Sequence, residues 1–182
     1  GCDEAGAGPL AGPVYAAAVI LPLGAEIDGL NDSKKLTQKR REALLPVIQE
    51  RALAWAVAWV DAAEIDATDI LSARVRAMQL AIDKLSVRPD FALIDGNRDR
   101  GRSAAITLEH RCIVKGDSLS ASVAAASVLA KVSRDRFMVE MAERYPEYRF
   151  DRHKGYGTAL HYQLLRTYGP SPIHRRTFLK NL

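Results

Sequence analysis

Four carboxylates in this chain stand where side chains can do chemistry instead of coating a helix. Asp3 and Glu4 are adjacent in GCDEAGAGPLAGPV, which runs straight into a glycine-alanine-glycine turn suited to hugging a phosphate. Asp95 lies in the apolar segment FALIDGN at 91–97, and Asp117 follows RCIVK at 111–115. Acids at strand ends on one edge of an α/β sheet share a crevice, so groups far apart in sequence can meet there. Ionised carboxylates crowded together must either take up protons or recruit cations. A set of oxygen donors without histidine or cysteine suits Mg2+ or Mn2+. Two such ions about 4 Å apart can activate a water and stabilise the leaving oxygen in phosphodiester hydrolysis. An anion would then dock on the metal, and the carboxylates would hold the metal. Each acid alone has a plainer reading, Asp117 as a helix N-cap and Asp95 as a turn residue. Their combination is what points to chemistry.

The elements that must position these acids follow from period and punctuation. Residues 14–21 (VYAAAVIL), bracketed by Pro13 and Pro22, read as a buried strand, as do 53–60, 91–95 with Gly96 and Asn97 supplying the turn after it, and 111–115. Helices are expected from Thr37 to about Ala52 with a kink at Pro46, over roughly 66–85, from Asp117 to Pro146, and over about 158–168 before Gly169 and Pro170. In the second of these, Leu71, Val75, Met78, Ile82 and Leu85 line one face, as a core stripe does. Successive strand residues face opposite sides. For Asp3 and Glu4 to serve one site, the first strand should therefore end between them, with Gly6 and Gly8 supplying the flexible backbone. Strands followed by alternating helix and strand give an α/β class, a mixed sheet flanked by helices with a helical C-terminal appendage from about 146 to 182.

Composition bounds the rest. The 182 residues, 48% of them hydrophobic, suit one domain, and 26 Lys/Arg against 22 Asp/Glu give a net charge of +4, compatible with a nucleic-acid partner. Cys2 and Cys112 lack metal-type spacing and read as reduced core thiols of a cytoplasmic protein, and no apolar run of membrane length is present. GAGPLA matches a dinucleotide-binding fingerprint, with Asp28 about twenty residues on. That fingerprint must open a helix, which Gly12 and Pro13 interrupt, and the preceding carboxylates would repel a pyrophosphate. An oxidoreductase is thus disfavoured, and a module that binds nucleic acid without cutting it is disfavoured by the intact acids.

The sequence resembles ribonuclease HII, the type 2 ribonuclease H, along nearly its whole length. GCDEAGAGPLAGPV is similar to the family's DEAGRGPLAGPV signature, LNDSKKL at 30–36 to its DSKKL segment, and FALIDGN to the strand carrying its third acid. VKGDSLSASVAAASVLAKVSRD at 114–135 resembles its GDS segment and alanine-rich helix, HKGYGT at 153–158 its HKGY turn, and SPIHRRTF at 171–178 its closing HRRSF. The Asp117-Ser118 pair favours this family over ribonuclease HIII.

The resemblance implies a ribonuclease H-like fold and a metal-dependent endoribonuclease with Asp3, Glu4, Asp95 and Asp117 as its catalytic metal-binding set, using Mg2+ or Mn2+. It implies cleavage of the RNA strand of RNA–DNA hybrids and incision at ribonucleotides embedded in duplex DNA, leaving 3′-hydroxyl and 5′-phosphate ends. The 2′-hydroxyl that marks a ribose both donates and accepts hydrogen bonds. By the resemblance it is read by backbone groups of the turn, here Gly6 and Gly8, with Tyr156 packed by the sugar and Ala7, between the glycines, also on the substrate side. Phosphate contacts are expected from Lys34, Lys35, Lys154, Arg175 and Arg176. His153 reads as a structural turn histidine and Asp135 as a helix-face charge. The protein is expected to act as a monomer. One departure stands out: Ala7 occupies the place of the family's arginine, removing a cation from beside the substrate backbone.

Overall fold

The computed structural model describes residues 1–180. Five strands, β1 (Cys2–Ala5), β2 (Val14–Ile20), β3 (Ala54–Val60), β4 (Ala92–Asp95) and β5 (His110–Ile113), form one sheet in the order β3-β2-β1-β4-β5. β1, β2 and β3 pair antiparallel, whereas β1, β4 and β5 run parallel. The parallel half is what matters for chemistry: the C-terminal ends of β1, β4 and β5 open on the same edge. Asp3 and Glu4 lie near that edge, Asp95 ends β4, and Asp117 follows β5.

Seven helices complete the described chain: α1 (Gln38–Arg51), α2 (Ala62–Ala67), α3 (Ile70–Asp83), α4 (Gly116–Leu119), α5 (Ala121–Arg144), α6 (Phe150–His153) and α7 (Ala159–Tyr168). Strand alternation sends Cys2, Val14, Ala16 and Ala18 to one face, where Val75, Met78 and Ile82 of α3 cover them. Ala17 and Val19 point to the other face, against α1 and the alanine-rich start of α5. Small side chains on both β2 and α5 let that helix lie close to the sheet. A third cluster of Leu10, Ala11, Met138, Met141, Tyr148, Phe150 and Leu165 joins the C-terminal helices to the glycine-rich turn. Among the described residues no helix is long and apolar enough to cross a membrane.

Several expectations need correction. The helix expected over 66–85 is α3, which starts later, at Ile70, because Asp69 caps it through the Ser72 N–H at 2.8 Å; a separate short helix, α2, precedes it, capped by Asp61 through the Glu64 N–H at 2.8 Å. The stretch after Asp117 also divides, at Ser120, which caps α5. Pro46 lies within an unbroken α1. β1 does not end between Asp3 and Glu4 but continues to Ala5. GAGPLA opens no helix and leads instead to the antiparallel β2, which removes the dinucleotide reading. Cys2 is buried as expected, and Cys112, half-buried beside His110 and Asp99, packs against the same core from its margin.

Candidate active site

The parallel strands bring Asp3, Asp95 and Asp117 together, so that one carboxylate oxygen of each lies within 4.8 Å of the other two. Asp3 is buried on the α5 side of β1, its Oδ1 accepting the Glu4 N–H at 2.7 Å. Asp117 is buried in the first turn of α4. Gly116 permits this approach, since a Cβ there would stand 3.3 Å from Asp95 Oδ1. Burial, then the Glu4 and Asp95 charges, push Asp3 well above the usual carboxylate range. Burial, then Asp95 and Asp32, raise Asp117 as well.

Glu4 occupies a different position. With β1 continuing past it, its side chain leaves on the α3 side, where it pairs with Arg74, and it stands outside the three-oxygen cluster. Burial raises its pKa, the Arg74 guanidinium counteracts this, and Asp95 adds to the rise. Glu4 Oε2 and Arg74 Nε are both buried without a hydrogen-bond partner. An orphaned carboxylate oxygen beside three crowded carboxylates is an arrangement that a cation satisfies. The all-oxygen donor set fits a hard divalent ion. Exposed Lys34 is a further nearby cation; burial alone would lower its pKa, but Asp3, Asp117, Asp32 and Asp95 together raise it.

The glycine-rich turn is held by two wholly buried arginines. Arg134 of α5 donates to the carbonyls of Pro13 at 3.1 Å and of Ala11 and Lys154 at 3.0 Å. Arg175 donates to the carbonyls of Gly12 and Ala7 at 2.9 Å and of Gly6 at 2.6 Å. Arg175 is therefore not the phosphate contact expected from the sequence: it has no exposed surface and its fork is occupied by backbone. Gly6 has φ +94°, and a Cβ there would stand 2.0 Å from Arg134 Nε. Gly8, by contrast, is exposed and faces open space.

Around this turn, Tyr156 is 42% exposed, with Lys131 and Arg134 near its ring face at 5.7 and 5.8 Å. Lys35 donates to the Ser118 hydroxyl at 3.1 Å, next to Asp117. Lys154 adopts φ +50° and its ammonium donates to the Asp151 carbonyl. Arg176 is exposed, its N–H bound to Asp66 at 2.7 Å. His153 is buried, with Nε2 at 2.8 Å from the Tyr148 carbonyl and Nδ1 accepting from Gly155 at 3.2 Å, so both ring nitrogens serve the turn. Asp135 is no solvated helix-face charge; it is buried against Lys131 at 2.7 Å and Arg41 at 3.8 Å, apart from the carboxylate cluster.

Arg74 and Arg134 are the contributors that sequence reasoning missed. A signal for Arg134 exists: Val123, Ser127, Ala130, Arg134, Met138 and Met141 recur at helical spacing and are all buried. A charge on such a stripe needs internal acceptors. Arg74 carried no comparable mark, because its partner depends on the direction in which Glu4 leaves the strand.

A mixed sheet with an antiparallel half, a parallel half and carboxylates on the shared edge defines the ribonuclease H-like class of metal-dependent nucleases. Residues 1–181 match the family model Ribonuclease HII, and the chain belongs to that family. The Ribonuclease HII of Idiomarina loihiensis is 53% identical over 178 residues, covering 98% of this chain and 93% of the relative. That of Caldicellulosiruptor bescii is 50% identical over 182 residues, covering 100% and 86%. Among solved structures, the crystal structure of ribonuclease H2 from Pyrococcus horikoshii OT3 matches with TM-score 0.78 and 28% identity, over 97% of this chain and 92% of that one. The protein is accordingly a metal-dependent endoribonuclease of the ribonuclease H type, acting on RNA–DNA hybrids.

Proposed function

We propose that the protein hydrolyses the RNA strand of hybrids and also incises duplex DNA at embedded ribonucleotides, leaving 3′-hydroxyl and 5′-phosphate ends, with Asp3, Glu4, Asp95 and Asp117 holding two Mg2+ or Mn2+ ions. The observation that carries this is the convergence of three carboxylate oxygens within 4.8 Å beside a turn whose Gly8 is open to solvent. When bound, the ions supply the charge that activates water and stabilises the leaving oxygen. The chain's own part is to hold that chemistry in place. Asp3 is oriented by the Glu4 N–H, and Glu4 is steered by Arg74 so that one buried oxygen remains without a partner.

Recognition of the ribose falls to the turn. Arg175 already binds the Gly6 and Ala7 carbonyls, so it fixes the shape of the turn while Gly8 admits the sugar. Tyr156 supplies a ring edge or face to that sugar, and exposed Lys34, Lys35 and Arg176, with Lys154, neutralise phosphates. The chain acts as a single catalytic domain in which residues from about 146 onward form the substrate-side appendage. Every residue invoked comes from one chain, so a monomer suffices, working in the cytoplasm on nucleic acid. The test is to size the products from a duplex containing one ribonucleotide and from a full RNA–DNA hybrid, with Mg2+ and with Mn2+. Cuts that leave 3′-hydroxyl ends at the lone ribonucleotide and throughout the hybrid are expected. Cutting of the hybrid alone would remove the embedded-ribonucleotide activity, and tight binding without cuts would make the chain a binding module.

A further inference from the structure

On the edge strand β5, away from the four carboxylates, His110 and Cys112 are two residues apart and so share one face of the sheet. The register places them beside Ala92 and Ile94, both buried under α3. The segment between β4 and β5 folds back over them: the Ile106 N–H donates to the Asp99 carbonyl at 2.9 Å, and Arg100 bridges Ala105. That fold brings the Asp99 carboxylate, His110 Nε2 or Nδ1 and Cys112 Sγ within 4.8 Å of one another.

The histidine carries the argument further. His110 Nδ1 lies 2.6 Å from the Leu108 carbonyl, which can only accept, so Nδ1 bears the hydrogen. In a neutral ring Nε2 is then a bare lone pair, yet it faces Asp99 Oδ2 at 2.9 Å. At that distance a proton lies between them, giving an imidazolium–carboxylate pair, and a metal ion taking its place would spread the two atoms to about 3.3 Å. A neighbouring thiol decides the chemical class that fits. Sulfur and imidazole favour Zn2+ over Mg2+, and three protein donors plus water make a tetrahedral set. A carbonyl behind the ligating imidazole is also the usual outer partner that fixes its tautomer.

We infer that Asp99, His110 and Cys112 form a second cation site, specific for a borderline-soft divalent ion such as Zn2+, which clips the 96–109 segment to the edge strand leading to Asp117. Tetrahedral ligation requires the His110–Asp99 gap to open by about 0.4 Å and the Cys112 thiol to draw in by up to about 1 Å. Asp99 is exposed, which leaves its carboxylate room to adjust.

Co2+ titrated alone into the full-length chain provides the test, because a thiolate ligand gives a near-ultraviolet charge-transfer band and tetrahedral geometry gives intense visible bands. Both are expected at one equivalent in the wild type and equally in Asp95→Asn, and Zn2+ should displace them. Cys112→Ser should abolish the charge-transfer band, and His110→Ala should weaken Co2+ binding by at least about tenfold. No band at saturating Co2+, with both His110 nitrogens protonated by NMR, would show that a proton fills the gap and overturn the site. A band surviving Cys112→Ser, or lost in Asp95→Asn, would overturn it equally, by assigning the ion to Cys2 or to the carboxylate cluster.

Discussion

Arg175 Nη2 donates to the Gly6 carbonyl at 2.6 Å across 169 positions of sequence, tying the end of the described chain to the turn beside Asp3 and Glu4. The glycine-rich turn is thus set by a buried guanidinium from the C-terminal segment, with Arg134 gripping the same loop from α5. The catalytic edge and the appendage are in this sense one unit.

Replacing Arg175 by Met should destabilise the protein by about 3–5 kcal/mol, since it leaves three carbonyls without their charged donor. Arg175→Lys should restore little, because an ammonium cannot span the fork. Exposed Arg176→Ala should leave urea unfolding unchanged within about 0.5 kcal/mol and instead lower the salt slope of hybrid binding by about one unit. Urea denaturation and salt-dependent binding of the three variants separate the brace from the phosphate contact.

The two glycines of the turn should respond oppositely. Gly6→Ala meets both a left-handed backbone and Arg134 Nε, so several kcal/mol of lost stability is expected, with about 1–3 of it from the backbone alone. Gly8→Ala has open space in front of it and should fold normally, yet incision at a lone ribonucleotide should fall because the new methyl occupies the approach to the sugar. Melting temperatures and incision rates of the pair check this.

Ala7→Arg restores the cation that the family's turn usually carries. Hybrid binding should strengthen by about 1–2 kcal/mol at low salt, and the plot of log K against log salt should steepen by about one unit. The cleavage position should not change. An unchanged slope would mean that residue 7 does not face phosphate.

Stability should fall on acidification through a histidine pair beneath the HKGY turn. His161 and His174 lie 2.9 Å apart, Nε2 to Nε2; burial, then a neighbouring histidine, pushes them down to about 4 and about 3. The unfolded chain therefore binds more protons than the folded one below about 6.5, and the stability present above that pH is lost as pH falls toward 4 and 3. Asp3, Glu4 and Asp117 have raised folded-state values and oppose this trend, losing stability as pH rises. The informative quantity is the difference between wild type and His161→Asn. Their gap in unfolding free energy should narrow from pH 7 to pH 5.

The sheet, its flanking helices and the meeting of Asp3, Asp95 and Asp117 were legible in the sequence, because apolar runs, prolines and motif spacing are local signals. The short helix α2 was less legible: six residues span too few turns to show a period, and the Asp61 cap marks its start only once the backbone is in place. Arg175 was assigned to phosphate because a cation in a motif says nothing about burial. Only the long-range return of the chain, through Arg175 N–H to the Leu10 carbonyl at 2.8 Å, places it under the turn. The expected end of β1 between Asp3 and Glu4 failed for a related reason. Arg74 across the sheet pairs with Glu4, so the two acids can lie on opposite faces of one continuous strand.

Whether the convergent carboxylates carry the metal-dependent cleavage is tested most directly by the turnover of Asp95→Asn at saturating Mg2+ and at saturating Mn2+. The neutral amide should fold like the wild type, by circular dichroism and urea denaturation, and lose at least about 100-fold in turnover with either ion. Turnover equal to wild type with both ions, from a protein that binds hybrid normally, would contradict the account.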